Sequence, residues 1–409
     1  MSDFDPNRIR VDFPILDQEN NGAPLVYLDN AATTQTPRQV SEAMTRYYDE
    51  INSNIHRGAH KLAREATLAH EAARTTVARH LNAAQEYEVI FTSGTTDSIN
   101  LVSNTLALSS KIGHGDHIVI SGLEHHSNIV PWQMLCERTG AELKVIPVLD
   151  NGTLDLSAYH NLLADGTVKL VAVNHVSNAL GTINPIEKII TAAKAVGALT
   201  LIDGAQSAPH MNIDVQQLGC DFFVFSGHKT YGPTGIGVLY GKEKILDALP
   251  PWRGGGEMIK EVTFEKTTYN DLPFKFEAGT PDIEGAISLA SAIDYMNTIG
   301  METIASHEQT LQTTASAALQ DIPGIAFYGT SPEKAAVISF LVEGIHHYDM
   351  GTLMDQMGVA VRTGHHCCQP LMARFGITGT IRASFAAYNT MEEIEQFVSS
   401  VRKAAMMLG

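Results

Sequence analysis

The chain has 409 residues, 44% of them hydrophobic and 18% charged, a composition that supports a large packed core and excludes a disordered or fibrous protein. Its 28 basic and 45 acidic side chains leave a net charge of −17, which argues against nucleic acid and against anionic membrane surfaces as partners. No apolar run reaches the roughly 18 residues of a membrane span, and residues 1–16 lack the basic and apolar regions of a secretory signal. A cytoplasmic protein is expected, and the low cysteine count (Cys136, Cys220, Cys367, Cys368) fits a reducing compartment.

In chain order, residues 1–20 predict a short helical arm and a turn. Val26–Leu28 reads as a short strand and Asp29–Thr34 as a loop of small residues. Helices are expected over Arg38–Tyr48 and Leu62–Leu81. Between them a basic loop carries His56 and Arg57; its plainest reading is a solvated loop. A repeating pattern then begins, with apolar strands at Val89–Phe91, His117–Ile120, Leu143–Val148, Lys169–Val173, Leu201–Ile202, Phe222–Phe225 and Gly237–Tyr240. Polar loops and helical stretches such as Ser98–Leu108 separate them. That alternation implies an α/β fold with a mostly parallel sheet. Ligands gather at the carboxyl ends of such strands. Thr95, Thr96, His125, Asn178, Asp203, Gln206, Ser226, His228 and Lys229 all fall at strand ends, so one shared pocket is expected. The rhythm breaks after Trp252, and Ile283–Leu319 predicts one long helix or two. The expected organisation is an arm (residues 1–20), a large domain (21–282) and a smaller C-terminal α/β domain (283–409), the arm packing with the small domain.

Several groups could carry chemistry. Lys229 follows a buried strand, where desolvation favours the neutral amine that imine chemistry needs; taken alone, its favoured reading is a surface lysine on a hairpin. Gly94, Thr95 and Thr96 stand between a strand and a helix, either as an anion seat or as a plain N-cap. Ser226 and His228 could add donors to the same anion. Asp203 is either a cap or the partner of a buried cation such as a protonated pyridine nitrogen, with Gln206 in reach of a ring substituent. His125 could stack on such a ring or be structural. Cys367 lies among Arg362, His365 and His366, which favour a reactive thiolate. Zinc is the rival, but adjacent ligands lack the usual spacing, and a bond to neighbouring Cys368 would be strained. Arg382, flanked by apolar residues, needs an anion: a substrate carboxylate or an internal acid.

The segments Asp203–Gln206, Ser226–Lys229 with Tyr231–Pro233, and Arg362–Cys367 give the chain a close resemblance to the group II cysteine desulfurases, especially that of the SUF iron–sulfur assembly pathway. The resemblance runs from Asp12 to Thr390. It implies the fold type I architecture of the class V aminotransferase family, a homodimer, and pyridoxal 5'-phosphate held by Lys229 as a Schiff base. It further implies Asp203 at the ring nitrogen, Gln206 at the phenolic oxygen and His125 on the ring face. Thr95, Thr96, Ser226 and His228 would hold the phosphate, with Thr280 reaching it from a second subunit. Asn178 would lie near ring and substrate, and Arg382 would bind the carboxylate of L-cysteine. Cys367 would take the sulfur as a persulfide, and Arg362, His56 and Arg57 would line the pocket. No metal is implied. The short tether of Cys367 implies a dedicated sulfur acceptor of SufE or SufU type. Cys368 departs from the family, where a small uncharged residue is common; it is expected to pack as a small hydrophobe without a part in turnover. Selenocysteine lyase or cysteine sulfinate desulfinase, another fold type I activity such as an aminotransferase or kynureninase-like lyase, and a non-catalytic binding protein on the same fold are the alternatives. Substrate competition separates the first pair from the desulfurase, Cys367 argues against the second, and the presence of Lys229 and Cys367 speaks against the third.

Overall fold

A computed structural model describes residues 4–409; residues 1–3 of the expected arm lie outside it. In chain order its principal elements begin with β1 (Val26–Tyr27), α1 (Arg38–Arg46), α2 (Lys61–His80), β2 (Val89–Thr92) and α3 (Thr95–Leu108). They continue with β3 (His117–Ser121), α4 (Val130–Thr139), β4 (Glu142–Ile146), α5 (Leu156–Leu163), β5 (Val168–Asn174) and α6 (Ile186–Ala195). Next come β6 (Leu199–Asp203), β7 (Phe222–Ser226), β8 (Gly237–Gly241) and a hairpin of β9 (Ile259–Val262) and β10 (Thr267–Tyr269). Two long helices follow, α7 (Ile283–Ile299) and α8 (Met301–Gln320). The chain ends with β11 (Ile325–Tyr328), β12 (Val337–Val342), α9 (His347–Gln356), β13 (Val359–Ala360), β14 (Arg362–Gly364), β15 (Thr380–Ser384) and α10 (Met391–Leu408).

Seven strands form the large sheet in the order β2-β8-β7-β6-β5-β3-β4. All run parallel except β8, which is antiparallel to both its neighbours. Side chains alternate across a strand, and β7 uses both faces. Phe222 and Val224 enter the core beneath α3 and α4, with Ile99, Val102, Trp132 and Leu135. Phe223 and Phe225 enter the opposite core, with Val171, Ile189 and Leu289. A strand buried on both faces reads as a continuous apolar run, as the sequence had it. Where β8 crosses the mouth of the β2–α3 loop, a Cβ on Gly237 would fall 2.4 Å from Gly94 Cα. Only glycine permits that approach.

The smaller sheet is antiparallel, in the order β11-β12-β15-β14. Ile338, Phe340, Ile381 and Ala383 from its strands share one core with Leu311, Leu319, Phe397 and Val401 from α8 and α10. Two helices, not one, fill the stretch 283–320, and Gly300 at φ +94° turns the chain between them. A cut at 283 would strip α7 from the core it fills, because Ala286, Leu289, Ile293 and Met296 pack with the large sheet. Met301 and Ile304 still pack with that core, and the change of partner comes within α8, before Leu311. The N-terminal segment crosses between the units. β1 pairs in parallel with β13, Arg10 meets Glu393 at 2.6 Å, and Phe13 is buried against Tyr231, Tyr295 and Tyr388.

A buried ion pair ties α2 to the segment before α7. Arg74 donates to both carboxylate oxygens of Glu277, at 2.7 and 3.0 Å. Glu277 also accepts the Phe91 N–H at 2.7 Å. Removing one member strands the other charge in a dry site. Glu277→Ala is therefore expected to cost about 3–5 kcal/mol, read as a lowered urea midpoint.

Candidate active site

The carboxyl ends of β2, β3, β5, β6 and β7 open on one cavity of about 240 Å³. Thr95, Thr96, His125, Asn178, Asp203, Gln206, Ser226, His228 and Lys229 line it from the large unit, and Arg362, Cys367 and Arg382 from the small one. Twelve residues expected from sequence thus meet in one place. Thr280, His56 and Arg57 do not line the cavity of the single chain. Thr280 is exposed. Both ring nitrogens of His56 are taken, Nδ1 by Glu257 at 2.8 Å and Nε2 by Glu71 at 3.0 Å, and the Glu71 bond raises its pKa. Arg57 leans on Glu257 at 3.4 Å.

Lys229 follows β7, and burial lowers its pKa while Asp203 pulls the other way. Asp203 ends β6, and burial raises its pKa. Its Oδ1 accepts the Ala205 N–H at 3.0 Å. His125 and His228 are neutral. Burial, then the Lys229 charge, lowers His125 to about 3 and His228 to about 4. The His125 Nδ1 accepts the Ser127 N–H at 3.1 Å, so the ring proton sits on Nε2. At the start of α3, the Thr95 N–H and Oγ1 both meet Ser226 Oγ, at 2.8 and 2.7 Å. Here a 14-residue helix starts at the cavity with the hydroxyls of Thr95, Thr96 and Ser226 around it, a setting that seats a phosphate.

Two arginines share the far wall. Arg362 and Arg382 stand directly opposite each other in the β14–β15 ladder, an arrangement that repels unless an anion intervenes. One acid answers them: Arg382 Nη2 meets Asp29 Oδ1 at 2.8 Å. Arg382 Nη1 donates to the Asn178 carbonyl at 2.9 Å, and its Nε is buried without a partner. The internal acid weighed in the sequence is present, yet it does not saturate the pair.

Cys367 is half-buried on a turn in which His366 and Cys367 both have positive φ, 50° and 57°. Residues in that region carry strain of order 1–3 kcal/mol each. The Cys367 carbonyl accepts the His126 N–H at 2.8 Å, and its own N–H donates to His365 Nδ1 at 3.1 Å. His366, which also lines the cavity, is buried and held near a pKa of about 2 by burial and the two arginines.

Sequence reading passed over Asp29 and Glu124. Asp29 and Glu124 each follow an apolar strand, the signal that singled out Asp203. Glu124 lies beneath the site, its Oε1 accepting the Asn174 N–H at 3.0 Å and its Oε2 the Asn128 amide at 2.6 Å, with Ser121 also bound. Burial raises it from its ordinary 4.5 to about 8.

The residues present fit pyridoxal phosphate: an inward lysine of lowered pKa, a buried carboxylate opposite it, a neutral imidazole, a helix-start anion seat, and a Gln206 Oε1 buried without a partner. Residues 26–397 match the family model described as aminotransferase class-V, and the chain belongs to that family, whose members depend on pyridoxal phosphate. Several similar proteins are named cysteine desulfurases. A cysteine desulfurase of Synechococcus elongatus is 52% identical over 98% of this chain and 64% of its own length; the chain thus spans just under two thirds of that relative. A probable cysteine desulfurase of Xylella fastidiosa is 49% identical over 99% of this chain and 97% of its own. The solved structure of the cysteine desulfurase CsdA from Escherichia coli has a TM-score of 0.92 at 39% identity, covering 99% of this chain and 100% of that one.

Because Glu124 keeps its proton in the folded state up to about pH 8 but loses it near 4.5 when unfolded, its contribution is full at low pH and declines as pH rises. Glu124→Gln is expected to gain stability over the parent between about pH 5 and about pH 8, the gap levelling off above that. Urea midpoints across that range check it.

Proposed function

We propose that this chain is a cysteine desulfurase of the group II, SUF type, which removes sulfur from L-cysteine and holds it as a persulfide on Cys367. The observation that carries the reading is the meeting, in one cavity, of Lys229 from the large sheet with Cys367 and Arg382 from the small one. An aminotransferase needs the lysine and the arginine but no thiol. The names of the relatives point the same way.

Asp203 would hold the ring nitrogen of the cofactor, Gln206 its phenolic oxygen, and Thr95, Thr96, Ser226 and His228 its phosphate, with His125 on the ring face. Pyridoxal phosphate, when bound, draws electrons from the α carbon of an amino acid. Arg382, with Arg362 beside it, holds the substrate carboxylate. Lys229, whose ammonium form burial disfavours, would accept the Cα proton as the free amine. The Cys367 thiolate attacks the substrate sulfur. The Cβ–S bond breaks, a new S–S bond forms, and the carbon skeleton leaves as alanine after protonation at Cβ. In sum, L-cysteine and the Cys367 thiol give L-alanine and a Cys367 persulfide.

The reading includes a cytoplasmic homodimer. The support is Thr280, exposed and outside its own chain's cavity: it would reach the phosphate seat of a second copy, with His56 and Arg57 close to the shared mouth. A SufE- or SufU-type protein would take the sulfur, since Cys367 on its short tether is half-buried.

Incubation with L-cysteine followed by mass spectrometry is expected to find one added sulfur on Cys367 and alanine in solution. Cys367→Ser should keep the visible cofactor absorption and lose alanine release; undiminished release would overturn the reading. In Lys229→Ala the absorption of lysine-bound cofactor should vanish. Thr280→Ala should weaken cofactor retention, and light scattering should give twice the chain mass.

A further inference from the structure

Sequence alone gives Cys368 no part in turnover, and the structure gives its thiol a partner. Cys368 is fully buried, and its Sγ points to the Asn178 carboxamide, with Oδ1 at 3.1 Å. The orientation of that amide is fixed from its other side. Asn178 Nδ2 donates to the His366 carbonyl at 2.7 Å, and a carbonyl can only accept. Oδ1 is therefore the acceptor that faces the thiol, and among the described residues the Cys368 S–H is its one donor. Asn178 is itself 6% exposed, so no bulk water replaces that donor. Its backbone carbonyl holds Arg382. The Asn178 side chain thus grips the nucleophile turn at two points, one on each side of Cys367.

That turn needs gripping. His366 and Cys367 both sit at positive φ, and such conformers persist only where the surroundings over-determine them. We propose that Cys368 is a positioning residue: its thiol completes the Asn178 clamp that holds Cys367 in place for attack. The inference rests on the desulfurase reading in that Cys367 is the nucleophile. It leaves Cys368 no share in carrying sulfur. The thiol is enclosed, and burial pushes its pKa up to about 12, so it supplies no thiolate.

Two substitutions separate a donor from a filler. Cys368→Ser keeps a hydroxyl donor; Cys368→Ala keeps the small volume and loses it. With the cofactor-loaded protein and L-cysteine, Cys368→Ala should lower kcat roughly threefold to tenfold with KM within about twofold, because the substrate-binding arginine is untouched. Cys368→Ser should restore kcat to within about twofold of the parent. A second readout is independent of the reaction. The rate at which iodoacetamide labels Cys367, followed by peptide mass spectrometry, should rise about threefold or more in Cys368→Ala as the turn loosens, and stay at the parent rate in Cys368→Ser. If Cys368→Ala matches the parent in labelling, or if Cys368→Ser behaves as Cys368→Ala does, the proposal is wrong. A parent protein that releases no alanine would instead overturn the desulfurase reading, and the labelling rates would still decide whether the clamp exists.

Discussion

Lys229 and Asp203 lie at the carboxyl ends of neighbouring parallel strands, in a place where neither charge is hydrated. Burial pushes the amine toward its neutral form and the carboxylate toward its protonated form, and each softens the effect on the other. The rest of the large unit maintains that condition. Phe222 through Phe225 seal β7 on both faces, and Gly237 lets β8 close against Gly94. The acid beneath, Glu124, is itself protonated near neutrality and adds little negative charge to the floor. The burial that lowers the Lys229 pKa also keeps His125 and His228 uncharged. Desolvation, more than any single ion pair, sets the chemistry available here.

The smaller unit contributes what a dry floor cannot. β14 and β15 place two guanidinium groups side by side with, among the described residues, only Asp29 to answer them, which leaves attraction for a further carboxylate. The same edge leads into the strained turn bearing Cys367. The two arginines and the thiol thus reach the cavity from one structural unit, and the lysine from the other.

The order of strands and helices was legible because its causes are local. Apolar runs punctuated by small polar loops declare buried parallel strands, and the strand-end rule brought nine of the named residues to one cavity. What was not legible depends on pairing in space. α7 reads as the start of the C-terminal unit, yet its apolar face packs with the large sheet, and nothing in its own periodicity says which sheet it will meet. Asp29 had no visible partner until β15 brought Arg382 beside it. The thiol of Cys368 looked like filler because a one-dimensional reading cannot supply an acceptor 190 residues away. The places of Thr280, His56 and Arg57 lie outside the single chain's cavity, where sequence pattern gives no coordinates.

The stretch from Val26 to Thr34 looks minor, but it is stitched to both units at once. Val26 and Tyr27 pair with the C-terminal segment, Asp29 holds Arg382, the Ala31 carbonyl holds Gln206 at 2.7 Å, and the Thr34 N–H reaches the His228 carbonyl at 3.0 Å. A strap fastened this way makes the small sheet a poor lid. To swing away it would have to tear a strand pair and a buried ion pair and disturb the cofactor floor together. Access to the cavity is therefore set by the width and charge of a fixed mouth rather than by hinge motion.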